Sequence, residues 1–412
     1  MRGVLGQNLA LALLSVVLFW LISIPTGAID VGDGAGWDGS EYAAMLDQGV
    51  GGGGANTALR PMVVLLNLPA YLVLGRNPVA AFQVMNVFYV AWLTFVLCAL
   101  LDHYGSTPWS KAWFVTNLSA CIATSKFPAF YPVLVDAGAY AIITTAAYCA
   151  VRGWRGAAAI ACVAAVLSRE FGIAVVLFGL ARDLRLRSPI LVSLSTYLPA
   201  VVVFFGWRTI VAAHWPEGGV DAGRLLVGLS LWQDRAFVAF FAYFALTVFG
   251  GVSLLVWSRA RSAFAFLRSE SEWLAFGLIV TGLAAAGNAD IWRYLAFLLP
   301  LCAVLYACVA GGVGREPDAG VAGLMLLMTV LTQWPFGAVD LSTYFRDWFP
   351  YYVVVRNVPV EPIPILWPVW YLRFVAVLVS LIVLIVLGRR VKIGAQVSSG
   401  PSRWWRSAAW LK

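Results

Sequence analysis

Charge is scarce in this chain. Asp, Glu, Lys and Arg make up 12% of its 412 residues, about half the share of an ordinary soluble domain. A soluble fold must cover its surface with polar groups, and a chain that is 61% hydrophobic has too few of them. Histidine is nearly missing: only His103 and His214 occur, and the order of the apolar runs puts them on opposite sides. No C-x-x-C pair occurs among Cys98, Cys121, Cys149, Cys162, Cys302 and Cys308, which all lie in apolar runs. Zinc-type sites are thereby nearly excluded, and the thiols read as small buried hydrophobes. The chain also lacks a Walker sequence, a G-x-S-x-G elbow and a dinucleotide fingerprint. It has no internal repeat, so a transporter built from inverted repeats gains no support.

What is present is a series of apolar runs near the length that crosses a bilayer of about 30 Å. They lie near 8–25, 79–101, 112–125, 131–151, 156–168, 171–182, 189–213, 236–257, 273–287, 291–310, 319–338 and 366–388. They do not alternate as the strands of a membrane barrel would. The expectation is an all-α, polytopic transmembrane helical bundle of about 12 spans. The first run reads as a retained helix, since it is long for a signal peptide and no A-x-A-like site follows. Runs 156–168 and 171–182 are each short, and periodicity leaves open two half-spans or one helix.

Counting both, with the N-terminus inside, puts Lys111, Arg152, Arg155, Arg182, Arg185, Arg187, Arg259, Arg261, Arg268 and the tail on one side. That is the positive-inside pattern, so two short segments are preferred and both termini are expected in the cytoplasm. The net charge of +8 then needs no nucleic acid. The expected layout is one membrane domain over 1–388, with outer loops at 26–78, 214–235 and 339–365. A basic cytoplasmic tail over 389–412 follows. Residues 61–75 read as an interfacial or re-entrant helix within the first outer loop, not a crossing. The whole suits an integral inner (plasma) membrane protein among membrane lipids.

The few charges gather on the outer side. "GAGWDGSEYAAMLDQGVGGGG" (34–54) follows the first run. Its "WDGSEYAAMLDQG" predicts a short helix, with Asp38 at the N-cap and Glu41 three residues on, as in a capping box. The other reading of Asp38 is a general base above the bilayer. The glycine run is either a flexible segment that admits substrate or a plain linker. Arg60-Pro61 closes the loop, and an arginine entering an apolar segment needs a partner: a phosphate or a carboxylate. Asp136 lies about one turn inside the fourth run, Arg169-Glu170 between the two short ones, and Asp290 and Arg293 at another outer boundary. Such residues are functional candidates by default. The alternative is internal pairing, for instance Arg169 with Asp136 welding helices. Asp38 with another outer carboxylate leaves open an all-oxygen Mg2+ or Mn2+ site.

The order "WDGSEYAAML", "LRPMVVLLNLP", "LVDAGAYAIITTAAY", "AAVLSREFGIAVVL", "NADIWRYLAFLLP", over roughly 10–310, resembles the GT-C superfamily of polytopic glycosyltransferases. The nearest likeness is to bacterial members that use polyprenyl-phosphate-linked sugars. The resemblance implies that Asp38 is the catalytic aspartate of the first outer loop and that Tyr42 and Glu41 support it. It matches Arg60 to the arginine-proline step and Arg169-Glu170 to the arginine-glutamate between short helices. Arg60, Arg169 and Arg293 would hold the lipid phosphate, with Asp136, Glu170 and Asp290 as supports. The implied partners are a polyprenyl-phosphate sugar donor and a glycan or lipid acceptor. Asp38 is followed by Gly-Ser-Glu where many relatives are more aromatic. The acceptor motif and soluble C-terminal domain of oligosaccharyltransferases are missing, which speaks against a protein acceptor. With no soluble nucleotide-binding domain, a nucleotide-sugar donor is disfavoured. The alternatives are a lipid or glycan flippase without chemistry and an O-antigen-type polymerase.

Overall fold

The computed structural model describes residues 2–215, 231–287, 291–310, 319–333 and 367–390. They are mostly helical, and no strand occurs among them. The helices in the first half are α1 (Arg2–Thr26), α2 (Trp37–Gln48), α3 (Ala55–Ala58), α4 (Pro61–Val73), α5 (Pro78–His103), α6 (Pro108–Ser119), α7 (Lys126–Phe130), α8 (Asp136–Arg152), α9 (Arg155–Ser168), α10 (Gly172–Arg185) and α11 (Ile190–His214). The second half adds α12 (Arg235–Thr247), α13 (Gly250–Ser258), α14 (Ala260–Ser269), α15 (Ser271–Ala286), α16 (Ile291–Leu295), α17 (Leu299–Ala310), α18 (Ala319–Gln333) and α19 (Trp367–Arg390).

Local signals explain several boundaries. Pro78 and Pro108 stand in the first turns of α5 and α6, where their missing N–H costs nothing. The Asn77 and Thr107 side chains cap those helices by accepting from the Ala80 and Ser110 amides. Gly153 ends α8 in the left-handed region, at φ 69°.

Among the described residues, five helices are long and apolar enough to cross a membrane: Gly3–Thr26, Pro78–His103, Ile190–His214, Ile291–Ala310 and Pro368–Val386. A sixth arises if α12 and α13, bent by 87° at their junction, count as one span. Length and apolarity therefore do not yield twelve spans. The run at 112–125 is broken between α6, a 3-10 turn at Ile122–Thr124 and α7. The run at 156–182 is two helices, α9 and α10, as charge favours. The last helix continues through Arg390, past the expected start of the tail at 389. The rest of that tail, the loop at 339–365 and most of 214–235 lie outside the described residues.

Polar bonds between helix ends show how the helices run. At one end, Asp102 of α5 accepts from Lys111 of α6 (2.6 Å) and Asn8 of α1 (2.7 Å). Arg155 at the start of α9 reaches Asp183 near the end of α10 (2.8 Å), so these two helices are antiparallel. Arg182 of α10 donates to the Val151 carbonyl at the end of α8. At the opposite end lie the start of α8, the end of α9, α16 and the whole segment from Gly27 to Asn77. There the Ile29 amide donates to Phe130 (2.8 Å), and the Trp207 indole of α11 donates to Ala58 (2.9 Å). This first-loop end collects the candidate residues.

Candidate functional site

Asp136 stands at the start of α8, not a turn inside a helix, and is buried. Its Oδ1 accepts from Arg169 Nε (3.1 Å) and Nη2 (2.5 Å), and its Oδ2 accepts from Arg293 Nη2 (2.7 Å). One carboxylate thus clamps two buried arginines. The internal pairing of Arg169 with Asp136 is present, and Arg293 shares it. Arg169 sits in the break between α9 and α10, in extended backbone that stops α9 and starts the reversal.

Its neighbour Glu170 faces Arg60. Arg60 Nε (3.3 Å) and Nη2 (3.2 Å) donate to the two carboxylate oxygens in a forked arrangement. Arg60 Nη1 also donates to the Tyr42 hydroxyl at 3.3 Å, and Arg169 Nη1 lies 3.8 Å from Glu170 Oε1. The partner of the loop-closing arginine is therefore a carboxylate and a phenol. Burial on its own would raise the Glu170 carboxyl, but Arg60 and Arg169 outweigh it and hold it down to about 2. Burial raises the Tyr42 phenol above its ordinary value, with Arg60 and Arg169 pulling the other way.

The expected cap at Asp38 is not found. Trp37 starts α2, Gly36 holds the N-cap position at φ 76°, and no side chain caps the helix from there. Asp38 falls in the first turn. It is exposed, and among the described residues its carboxylate takes no hydrogen bond or ion pair. Its charge reaches Tyr42 and Tyr131.

Glu41 forms no capping box either. Its Oε2 accepts from the Gly54 amide (3.1 Å) and the Thr57 hydroxyl (2.7 Å). The glycine run is consequently a packed strap and not a loose linker. A Cβ on Gly52 would meet the Ala44 carbonyl at 2.5 Å, and one on Gly53 would meet Met45 at 2.7 Å. Backbone that lies this close to a helix face has no room for side chains.

Tyr42, Arg60, Asp136, Arg169, Glu170 and Arg293 thus form one connected cluster. Asp38 stands near it on the same helix as Tyr42, and Glu41 faces the strap. Asp290 lies outside the described residues. Two further groups have no part in the sequence reading. Arg208 of α11 stacks on Phe204, 3.6 Å from guanidinium carbon to ring centroid, near enough to Glu170 and Arg60 for their charges to interact. An ionisable residue inside an apolar run was the available signal for it. Tyr131 bonds to α2 across 92 residues, and no local pattern announces that.

Among the described residues no three or more His, Cys, Asp or Glu side chains group as metal ligands. Asp136, Glu170 and Glu41 are already committed to arginine, amide or hydroxyl donors. The described residues do not fit the Mg2+ or Mn2+ site considered above, and no step is routed through one.

No family model matches this chain, and neither a curated protein nor a solved structure matches it.

Proposed function

We propose that the chain is a polytopic membrane glycosyltransferase of the GT-C kind. It moves a sugar from a polyprenyl-phosphate donor to a glycan or lipid acceptor. In this reading the helices make about twelve passes, both termini are cytoplasmic, and the first-loop end faces outward with α4 lying in the interface. The observation that supports it is a gathering of charge. Among the described residues, Arg60, Arg169, Arg208 and Arg293 gather around two carboxylates, Asp136 and Glu170, while the exposed Asp38 carboxylate takes no hydrogen bond or ion pair from them.

That arrangement suits acyl-free transfer to a hydroxyl. The acceptor oxygen attacks the anomeric carbon and its proton goes to Asp38. The bond from that carbon to the phosphate oxygen breaks, and the electron pair leaves with the phosphate. The guanidinium charge stabilises the growing negative charge in a poorly solvated setting. Asp136 and Glu170 keep the arginines in place.

The test uses purified protein, a radiolabelled polyprenyl-phosphate sugar pool and Asp38→Asn. Asparagine is nearly isosteric, and Asp38 bears no cap, so thermal stability should match wild type. General-base contributions are about 10²–10⁴-fold, so label transfer should fall by at least about a hundredfold. Full transfer in Asp38→Asn removes Asp38 from the chemistry. If the labelled lipid changes leaflet without losing its sugar, a flippase is the better account.

A further inference from the structure

We propose that Tyr131 is the residue that positions Asp38. This rests on the reading of Asp38 as the base. The first-turn amides of a helix have no partner inside it, and α2 has glycine at its N-cap, with no side chain to offer. The missing acceptor comes from far away in the chain. The Tyr131 hydroxyl oxygen accepts from the Gly39 amide at 3.2 Å, at the residue that directly follows Asp38.

The contact is built on both sides. A Cβ on Gly36 would lie 2.2 Å from the Tyr131 ring, so the ring sits flush on the chain that enters α2. The Trp37 ring meets it edge-on, with centroids 6.2 Å apart. Tyr131 is buried, and its own amide is tied to the Phe127 carbonyl at 2.8 Å. Phe127 in turn lies under the Arg293 guanidinium, 5.2 Å from its ring centroid. A continuous path therefore runs from Asp38 through Gly39, Tyr131 and Phe127 to Arg293 and the Asp136 clamp. The turn of helix that carries the base takes its place from the same segment that underlies the arginines. Tyr131 touches no reacting atom in this account. It fixes where the Asp38 carboxylate points relative to the phosphate end of the site.

The experiment is Tyr131→Phe, which removes one oxygen and keeps the ring. A net hydrogen bond is worth about 0.5–1.5 kcal/mol, or roughly 2–13-fold. The kcat for transfer should fall within about that range with KM unchanged. In an Asp38→Asn background the same change should cost nothing more. Hydrogen exchange at the Gly39 amide should speed up by a similar factor, a readout independent of sugar transfer. Gly39→Ala is the second variant: its Cβ would meet the Val133 carbonyl at 2.7 Å and push the same turn away. It should lower kcat in the same way. Unchanged exchange at Gly39, an effect on KM alone, or an equal loss in the Asp38→Asn background each overturns the proposal. If Asp38→Asn keeps full activity, the base reading fails by itself, while the exchange measurement still reports on the Tyr131 contact.

Discussion

The two ends of the bundle handle buried charge in different ways. At the end away from the first loop, Glu272, Asp102, Asp183 and Glu270 are each engaged by a neighbouring side chain. Glu272 is wholly buried and accepts from Arg182 Nη1 (3.1 Å) and from Arg185 Nε and Nη2 (2.6 Å each). Lys111 is held by Asp102 and Asn8, Arg155 by Asp183, and Glu270 accepts from Tyr104. At the first-loop end, Asp136 serves two arginines, Glu170 serves a third, Arg208 rests on a ring, Glu41 holds the strap, and Asp38 is left in solvent. Matched ion pairs join helices and little else. In the proposed reading, an anionic substrate would sit against the arginines of this cluster, beside the Asp38 carboxylate.

The strongest way to break this comparison is to remove one carboxylate from each end. Taking away one partner of a buried pair leaves uncompensated charge and costs about 3–5 kcal/mol. Asp136→Asn and Glu272→Gln should therefore both lower the thermal midpoint by large and similar amounts. They should differ in function. Protein that remains folded after Glu272→Gln should transfer sugar at the wild-type rate, whereas folded Asp136→Asn should transfer poorly, since both clamped arginines are released. Transfer normalised to folded protein in detergent decides it. Equal loss in both variants would mean that the two ends are not functionally distinct.

Much of the scaffold was open to sequence reading because its cause is compositional. Apolar runs and the sidedness of basic loops locate the helices, including the break at Arg169-Glu170. The length rule fails where helices are short: α9 and α10 have 14 residues each, and their fit comes from packing beside α8 and α11. The pair Arg169–Asp136 is foreseeable because both lie at the same ends of neighbouring runs. Arg60 with Glu170, 110 residues apart, is not. The misreading at Asp38 has a local origin. Glycine in the left-handed region lets α2 begin at Trp37, so the aspartate that looked like a cap lies inside the first turn. Glu41 is then freed to serve the strap.

The strap sharpens the comparison on a smaller scale, since the opposite end has no such element among the described residues. Gly52→Ala forces a Cβ against a backbone carbonyl that cannot rotate away. Overpacking of this kind costs about 1–3 kcal/mol. Gly51 has nothing within 4 Å of its Cβ direction, so Gly51→Ala should stay within about 0.5 kcal/mol of wild type. If the two alanines behave alike in thermal unfolding, the glycine run is a linker after all.

The smallest effect is expected at Glu41, and it separates the two carboxylates of α2. Asp38 and Glu41 lie three residues apart and differ in engagement: one has no described partner, the other holds Gly54 and Thr57. Glu41→Gln keeps an amide oxygen that can accept from both donors and loses only the charge. Hydrogen bonds to charged groups are worth about 1.5–3 kcal/mol and neutral ones about 1 kcal/mol. The loss in stability should therefore be about 1 kcal/mol, with transfer near wild type. Glu41→Ala removes the acceptor, and limited proteolysis should then cut the 49–54 segment faster than in the glutamine variant. A proton acceptor would behave otherwise: Glu41→Gln would leave the strap intact and still reduce transfer a hundredfold, as Asp38→Asn does. That result would move the base along the helix by one turn and assign the strap contacts to a resting state of the catalytic carboxylate.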